Sequence, residues 1–365
     1  MFPLPWTRTT VPHGVIELTR ECNLACRACY RAKAAGFKPV ADILEEVAVL
    51  ERNQRLHTVS LAGGEPTLHP HLPEIVRSIK QRGLRVSLVT NGLLLDDPLL
   101  EKLRAAKLDV VMVHVDEGQR RPDLSNASDP AAVNRLREIL TERVHSHGIA
   151  AGLCTTIYPE SLRNLPSLVE LFLRHPHINF LFATHAVSIA SLIEPGADRT
   201  EAATRNGMVI PLLRQSFGLE PFAYLPAAIP TGDGEHPCIT YTVPVAHAAT
   251  PAHLAMRPTR IDRSLIRLAG LVAGRFPYFT PHSTAAALAQ ILCNAIGSGR
   301  PLSTLAFLVR AVGRPLRIKR MVFENTPRLT ASGSVNCCDA CPNSTVRDGK
   351  VVPVCLADHA RQLTP

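Results

Sequence analysis

Three thiols fall within eight residues at Cys22, Cys26 and Cys29, on a loop that follows the short apolar run of residues 15–18. A C-x3-C-x2-C trio wraps one corner of a metal centre, and soft thiolates select zinc, copper(I) or iron–sulfur clusters. Three cysteines on a [4Fe–4S] cube leave the fourth iron open, whereas a purely structural cluster or zinc site normally takes four protein ligands. An open iron invites a substrate or cofactor. A zinc knuckle completed by a histidine such as His13 is the alternative on spacing alone.

Further polar groups recur where strands are expected to end. Gly63-Gly64-Glu65-Pro66 follows an apolar run; its glycines let backbone approach a ligand closely, and Glu65 supplies a fixed acceptor for a cation. Thr90-Asn91-Gly92 closes a later run, where Thr90 and Asn91 are candidate cofactor contacts and Asn-Gly is equally an ordinary turn. His114 and Asp116 close the next, His114 being a cofactor contact or a packing residue. Cys154 reads as a buried apolar residue and Cys293 as a helix core residue, while Cys238 is either a spare ligand or buried packing. Near the end, Cys337, Cys338, Cys341 and Cys355 contain a C-x2-C-x13-C pattern around an expected hairpin at 347–350, enough thiols for a closed zinc or iron–sulfur site.

With an aromatic residue directly after its last cysteine, the first loop resembles the cluster loop of the radical S-adenosylmethionine (SAM) superfamily. The resemblance implies that Cys22, Cys26 and Cys29 hold a [4Fe–4S] cube and that SAM chelates its open iron. Reduction, by an external donor such as flavodoxin or ferredoxin, then yields a 5′-deoxyadenosyl radical. It also implies that Tyr30 lies beside the adenine, that Gly63, Gly64, Glu65 and Pro66 clamp the methionine amino group, and that Asp116 touches the ribose, with His114 standing where serine is common. The tail is similar to the auxiliary-cluster tail of the molybdenum-cofactor cyclase and of peptide-modifying radical SAM enzymes. This chain departs from the cyclase by a long basic insertion and by lacking a Gly-Gly end.

Short apolar runs alternate with amphipathic stretches from residue 15 onward, the pattern of βαβ units around a parallel sheet. Six such units predict an α/β fold, and the resemblance makes it the partial (β/α)6 barrel of the family with a helical, cysteine-tailed extension. The expected segments are a core at 1–190, a loop-rich connection at 191–250, basic amphipathic helices at 251–330 and the metal tail at 331–365.

Charge separates these segments. Residues 251–320 hold eleven Lys/Arg and one acid, Asp262, for +10, while the rest of the chain is near neutral at 29 basic against 30 acidic residues. Arginines interleaved with Leu, Ile and Val at helical spacing read as ordinary core-facing helices, or as helices that rest on an anionic membrane surface or grip an amphipathic substrate. No apolar run reaches the ~18 residues that span a bilayer. Thiols clustered at two ends of a long chain point to metal chemistry in a reducing compartment, so the cytoplasm is expected. The expected activity is hydrogen abstraction from an unidentified substrate, a lipid-like one ranking ahead of a peptide. The rival from another class is a zinc protein binding nucleic acid through its basic segment. At 5% aromatic residues, without aromatics interleaved among the arginines, no nucleic-acid partner is expected.

Overall fold

The computed structural model describes residues 1–31, 33–187, 204–226, 235–247, 252–276, 283–329, 335–336, 338 and 340–359. Six parallel strands lie side by side in chain order: β2 (His13–Glu17), β3 (Thr58–Ala62), β4 (Arg85–Thr90), β5 (Val110–His114), β6 (Ala150–Ile157) and β7 (Ile178–His185). Helices α1 (Val40–Asn53), α2 (Leu72–Gln81), α3 (Asp97–Ala105), α4 (Pro130–Ser146) and α5 (Leu165–Arg174) join them. Each helix buries one stripe, as α1 does with Ile43, Val47 and Leu50, so the periodicity that marks it as a helix also sets which side meets the sheet. Starts are written locally: Asp96 accepts from Leu99 N at 2.9 Å ahead of α3, and Asp129 from Ala131 N at 3.0 Å ahead of α4.

The sheet continues beyond the six. Strand β11 (Leu316–Glu324) pairs parallel with β7, and β9 (Cys238–Ala246) pairs antiparallel with β11; β8 (Ala223–Leu225) and the short β1 (Phe2–Pro3) follow, while β10 (Ala252–His253) pairs with β9. β1 and β2 remain edges, so the sheet is open. Because β9 runs antiparallel, its first residue, Cys238, stands opposite Glu324, the last of β11. Glu324 in turn faces Thr184 near the end of β7. Register therefore brings residues distant in sequence to the edge where the parallel strands end.

The carboxyl-terminal part mixes helices with these strands. Helices α6 (Asn206–Phe217), α7 (Arg260–Val272), α8 (Thr284–Ser298) and α9 (Pro301–Ala311) are present, but the end of the expected helical segment is β11, whose Lys319 and Arg320 are buried rather than solvated. Alternation along a strand explains this: β11 carries apolar and basic residues side by side, which helical spacing cannot distinguish from an amphipathic turn. The tail folds as the hairpin β12 (Ser344–Arg347) and β13 (Lys350–Pro353), turned by Asp348 and Gly349 at φ 48° and 72°. Cys337 and the turn at 231–234 lie outside the described residues.

At the opposite edge, Lys319 Nζ donates to the carbonyls of Phe172 and His175, both at 2.5 Å. Burial pushes His175 down to about 4 although Glu142 stands at 3.0 Å, and burial beside Lys319 and Arg317 does the same to His247. Both rings stay neutral in the folded chain down to about 4, whereas unfolded histidines protonate near 6.5. The unfolded state binds more protons between those values, so stability falls as pH drops through that window. Urea unfolding should show a midpoint that declines from about pH 6.5 towards 4, and His175→Asn with His247→Asn should flatten the decline.

Candidate metal and cofactor site

The loop that carries Cys22, Cys26 and Cys29 is rooted on β3. Gly64 N donates to Thr19 O at 2.8 Å and Glu65 N to Glu21 O at 2.7 Å. A Cβ on Gly63 would meet the Thr19 carbonyl, and one on Gly64 the Glu21 carbonyl. The glycines thus let the strand end lie against the cysteine loop itself, a use that their type alone does not distinguish from approach to a ligand.

Glu65 is buried and its carboxylate is fully organised. Oε1 accepts from Thr67 N at 3.0 Å, Thr67 Oγ1 at 2.6 Å and Thr90 Oγ1 at 2.6 Å; Oε2 accepts from Asn91 N at 2.9 Å. Asn91 Nδ2 reaches Asn23 Oδ1 at 2.7 Å, inside the cysteine loop. Thr90 and Asn91 are therefore tied to Glu65 and to the loop, and neither they nor Glu65 and Pro66 are among the residues that line the cavity. A carboxylate held by this many donors is pre-oriented before any cation arrives.

His114 and Asp116 form a pair, Nε2 to Oδ2 at 3.0 Å, with Gly118 N donating to Asp116 Oδ1 at 2.8 Å. Burial works to raise the Asp116 carboxyl, but His114, the Gly118 amide and Arg137 outweigh it and hold the group below its ordinary value. Arg137 is itself buried and brought down to about 10 by desolvation; it donates to the Val115 carbonyl from Nη2 at 2.7 Å and fixes the end of β5.

Tyr30 donates to Glu17 Oε1 at 3.1 Å, and burial pushes its phenol well up. Glu17, buried at the end of β2, also faces Arg31 at 2.5 Å and Arg347 of the tail. Asp358 accepts from Arg20 at 3.1 Å and stands 3.2 Å from Arg31. These pairs lock the cysteine loop to the carboxyl-terminal hairpin. His13 is likewise committed elsewhere, with Nε2 2.7 Å from Ser60 Oγ and Nδ1 on Pro342 O, so it does not complete a knuckle with the loop.

One cavity of about 630 Å3 is lined by both cysteine sets: Cys22, Cys26 and Cys29 from the loop, and Cys238, Cys338, Cys341 and Cys355 from β9 and the tail. Tyr30, Gly63, Gly64, His114 and Asp116 also line it. Cys154 does too, and burial pushes its thiol up to about 12. Cys26 is raised to about 12 by burial, Asp116 and the neighbouring thiols, and Cys22 is raised mainly by burial. Thiols crowded in this way need a bound cation to ionise together, as a cluster supplies. In the second set Cys238 and Cys341 are buried and raised well above the usual range, with Glu324 and Cys338 adding to the effect. Glu324, 4.0 Å from Cys341 Sγ, is brought up to about 7 by burial.

Among the described residues no three His, Cys, Asp or Glu side chains close on a single ion. By its donor chemistry the first trio fits a cluster with an open iron, and the second set has the thiols for another.

Residues 16–172 match the family model described as the radical SAM superfamily, whose members use a [4Fe–4S] cluster and SAM. The chain is similar to the Fe-coproporphyrin III synthase of Methanosarcina barkeri, 29% identical over 171 residues, 46% of this chain and 42% of that one. It is also similar to a probable GTP 3′,8-cyclase of Saccharolobus islandicus, 46% identical over 102 residues, 27% of this chain and 32% of that one. The matches thus span less than half the length of these relatives. Among solved structures, Streptococcus suis SuiB bound to the precursor peptide SuiA aligns at 16% identity over 61% of this chain and 50% of that one, with a TM-score of 0.44, too distant a likeness to carry a substrate.

Because a side chain at Gly64 would collide with backbone, Gly64→Ala must shift the loop. It should lower stability by about 1–3 kcal/mol or more and reduce iron bound at the loop, measured by thermal unfolding and by iron analysis of reconstituted protein.

Proposed function

We propose, from the match of residues 16–172 to the radical SAM family model, that the chain is an enzyme that abstracts hydrogen from an unactivated carbon of a substrate held in a cavity lined by two cysteine sets. The observation that carries this is the single cavity with both cysteine sets on its wall. When bound, the cluster and SAM supply a 5′-deoxyadenosyl radical after one-electron reduction by an external donor such as flavodoxin or ferredoxin.

Cys22, Cys26 and Cys29 would hold the first cluster, and Cys338, Cys341 and Cys355 a second cluster or zinc, with Cys337 a further donor. Gly63, Gly64, His114, Asp116 and Tyr30 are the proposed cofactor contacts on the wall. Glu65, buried and oriented by Thr90 and Asn91, is proposed to fix the strand end at Gly63 and Gly64 that the SAM amino group would meet, with Pro66 fixing the turn. The walls would keep water from the radical and present one C–H bond.

A lipid-like substrate met at a membrane surface is favoured, because the cavity lining includes the apolar Val15, Val89, Met112, Phe180, Phe182 and Val322. The second reading, a peptide-modifying maturase, is supported by the tail's C-x2-C-x13-C pattern.

Anaerobically reconstituted protein given a strong reductant should cleave SAM to 5′-deoxyadenosine, and the triple alanine variant at Cys22, Cys26 and Cys29 should not. If both centres are [4Fe–4S], that variant should fall from about eight to about four irons per chain. A triple variant that still forms 5′-deoxyadenosine would sink the assignment. Zinc alone, with no SAM cleavage by the native chain, would return the protein to the zinc-binding class.

A further inference from the structure

Helices α7, α8 and α9 pack in series and give the protein only narrow stripes: Ile266 from α7, Ala287, Ile291 and Ala295 from α8, Phe307 and Ala311 from α9. Other large apolar residues of the same helices are exposed. Leu271 and Leu302 are 81% exposed, Val272 and Ile296 79%, and Leu268, Leu305 and Val309 are exposed with them. Single surface leucines need no explanation, but an apolar face shared by three adjoining helices marks an interaction surface.

Its charge has one sign. Arg260, Arg263, Arg267, Arg300 and Arg310 are exposed on or beside these helices. The one acid among them, Asp262, is buried in a capping box, accepting from Thr259 Oγ1 at 2.5 Å and from Asn294 Nδ2 at 3.0 Å. A second copy of the chain would bring the same arginines against one another, whereas an anionic bilayer neutralises them and also takes up the leucines. On the inner side, Ile266 of α7 belongs to the apolar cluster of Trp6, Met256 and Phe276, and Trp6 and Phe276 line the cavity.

We propose that the outer face of α7–α9 docks on the anionic leaflet of a lipid bilayer and turns the Trp6–Phe276 side of the cavity towards the membrane. The docking gives the lipid-like reading its route and rests on it for its purpose; the binding itself requires no radical chemistry.

Flotation of the reconstituted holoprotein with vesicles of phosphatidylcholine, alone or mixed with phosphatidylglycerol, tests this. Partitioning should favour the anionic vesicles by roughly tenfold or more and fall as salt rises. Leu271→Glu with Leu302→Glu should remove most of it, and Arg267→Gln or Arg310→Gln should each weaken it about fivefold. All four positions are exposed, so the variants should keep the fold, and their unfolding midpoints are the check. Equal and negligible binding to both vesicle types overturns the proposal, as does a dimer in light scattering that appears in place of vesicle binding. SAM cleavage in the same preparations separates the two ideas. A chain that cleaves SAM but ignores vesicles loses only the docking; one that floats without cleaving SAM loses only the radical chemistry.

Discussion

A buried carboxylate, Glu17, ties the two ends of this chain together. It closes the first parallel strand, accepts from Tyr30 and Arg31 of the cysteine loop and from Arg347 of the tail, and sits beside the Arg20, Arg31 and Asp358 pairs. Burying such charges is costly, and removing one partner leaves another uncompensated, a loss of about 3–5 kcal/mol in comparable pairs. The network is thus weak evidence for stability and strong evidence for placement. While it holds, the cysteine loop and the carboxyl-terminal hairpin cannot move independently, although 330 residues separate Glu17 from Arg347.

The other placements depend on strand register. Parallel pairing ends β2, β3, β4, β5 and β7 along one edge, which supplies Gly63, His114 and Asp116 to the cavity wall and sets Thr90 and Asn91 against Glu65. The antiparallel β9 adds Cys238 from the opposite direction. A rigid sheet edge decorated by loops is the usual way an α/β protein assembles a ligand site. Here a second cysteine set lines the same cavity, so both sets come from one chain.

Much of the parallel core was legible because its helices and strands differ in hydrophobic period: Thr58–Ala62 and Leu165–Arg174 carry clean patterns between turn residues. The cysteines were legible from spacing. What escaped were contacts that no local pattern encodes. Glu17 reads as one polar residue in an apolar run, yet a carboxylate inside a buried strand was itself a signal that a cation must come from elsewhere. The Glu65 network required Thr90 and Asn91 from the next strand, and the strand at Leu316–Glu324 was hidden by basic residues whose burial only the sheet order reveals.

The central claim is that two cysteine-bound centres share one cavity. Pulsed EPR of the dithionite-reduced, reconstituted protein measures this directly. Two [4Fe–4S] centres on a shared cavity should give paramagnetic signals with a dipolar interaction between them, and that interaction should vanish in a variant lacking Cys338, Cys341 and Cys355 while the signal of the first centre persists. Two signals without mutual coupling, or a full iron complement unchanged in that variant, would contradict the account.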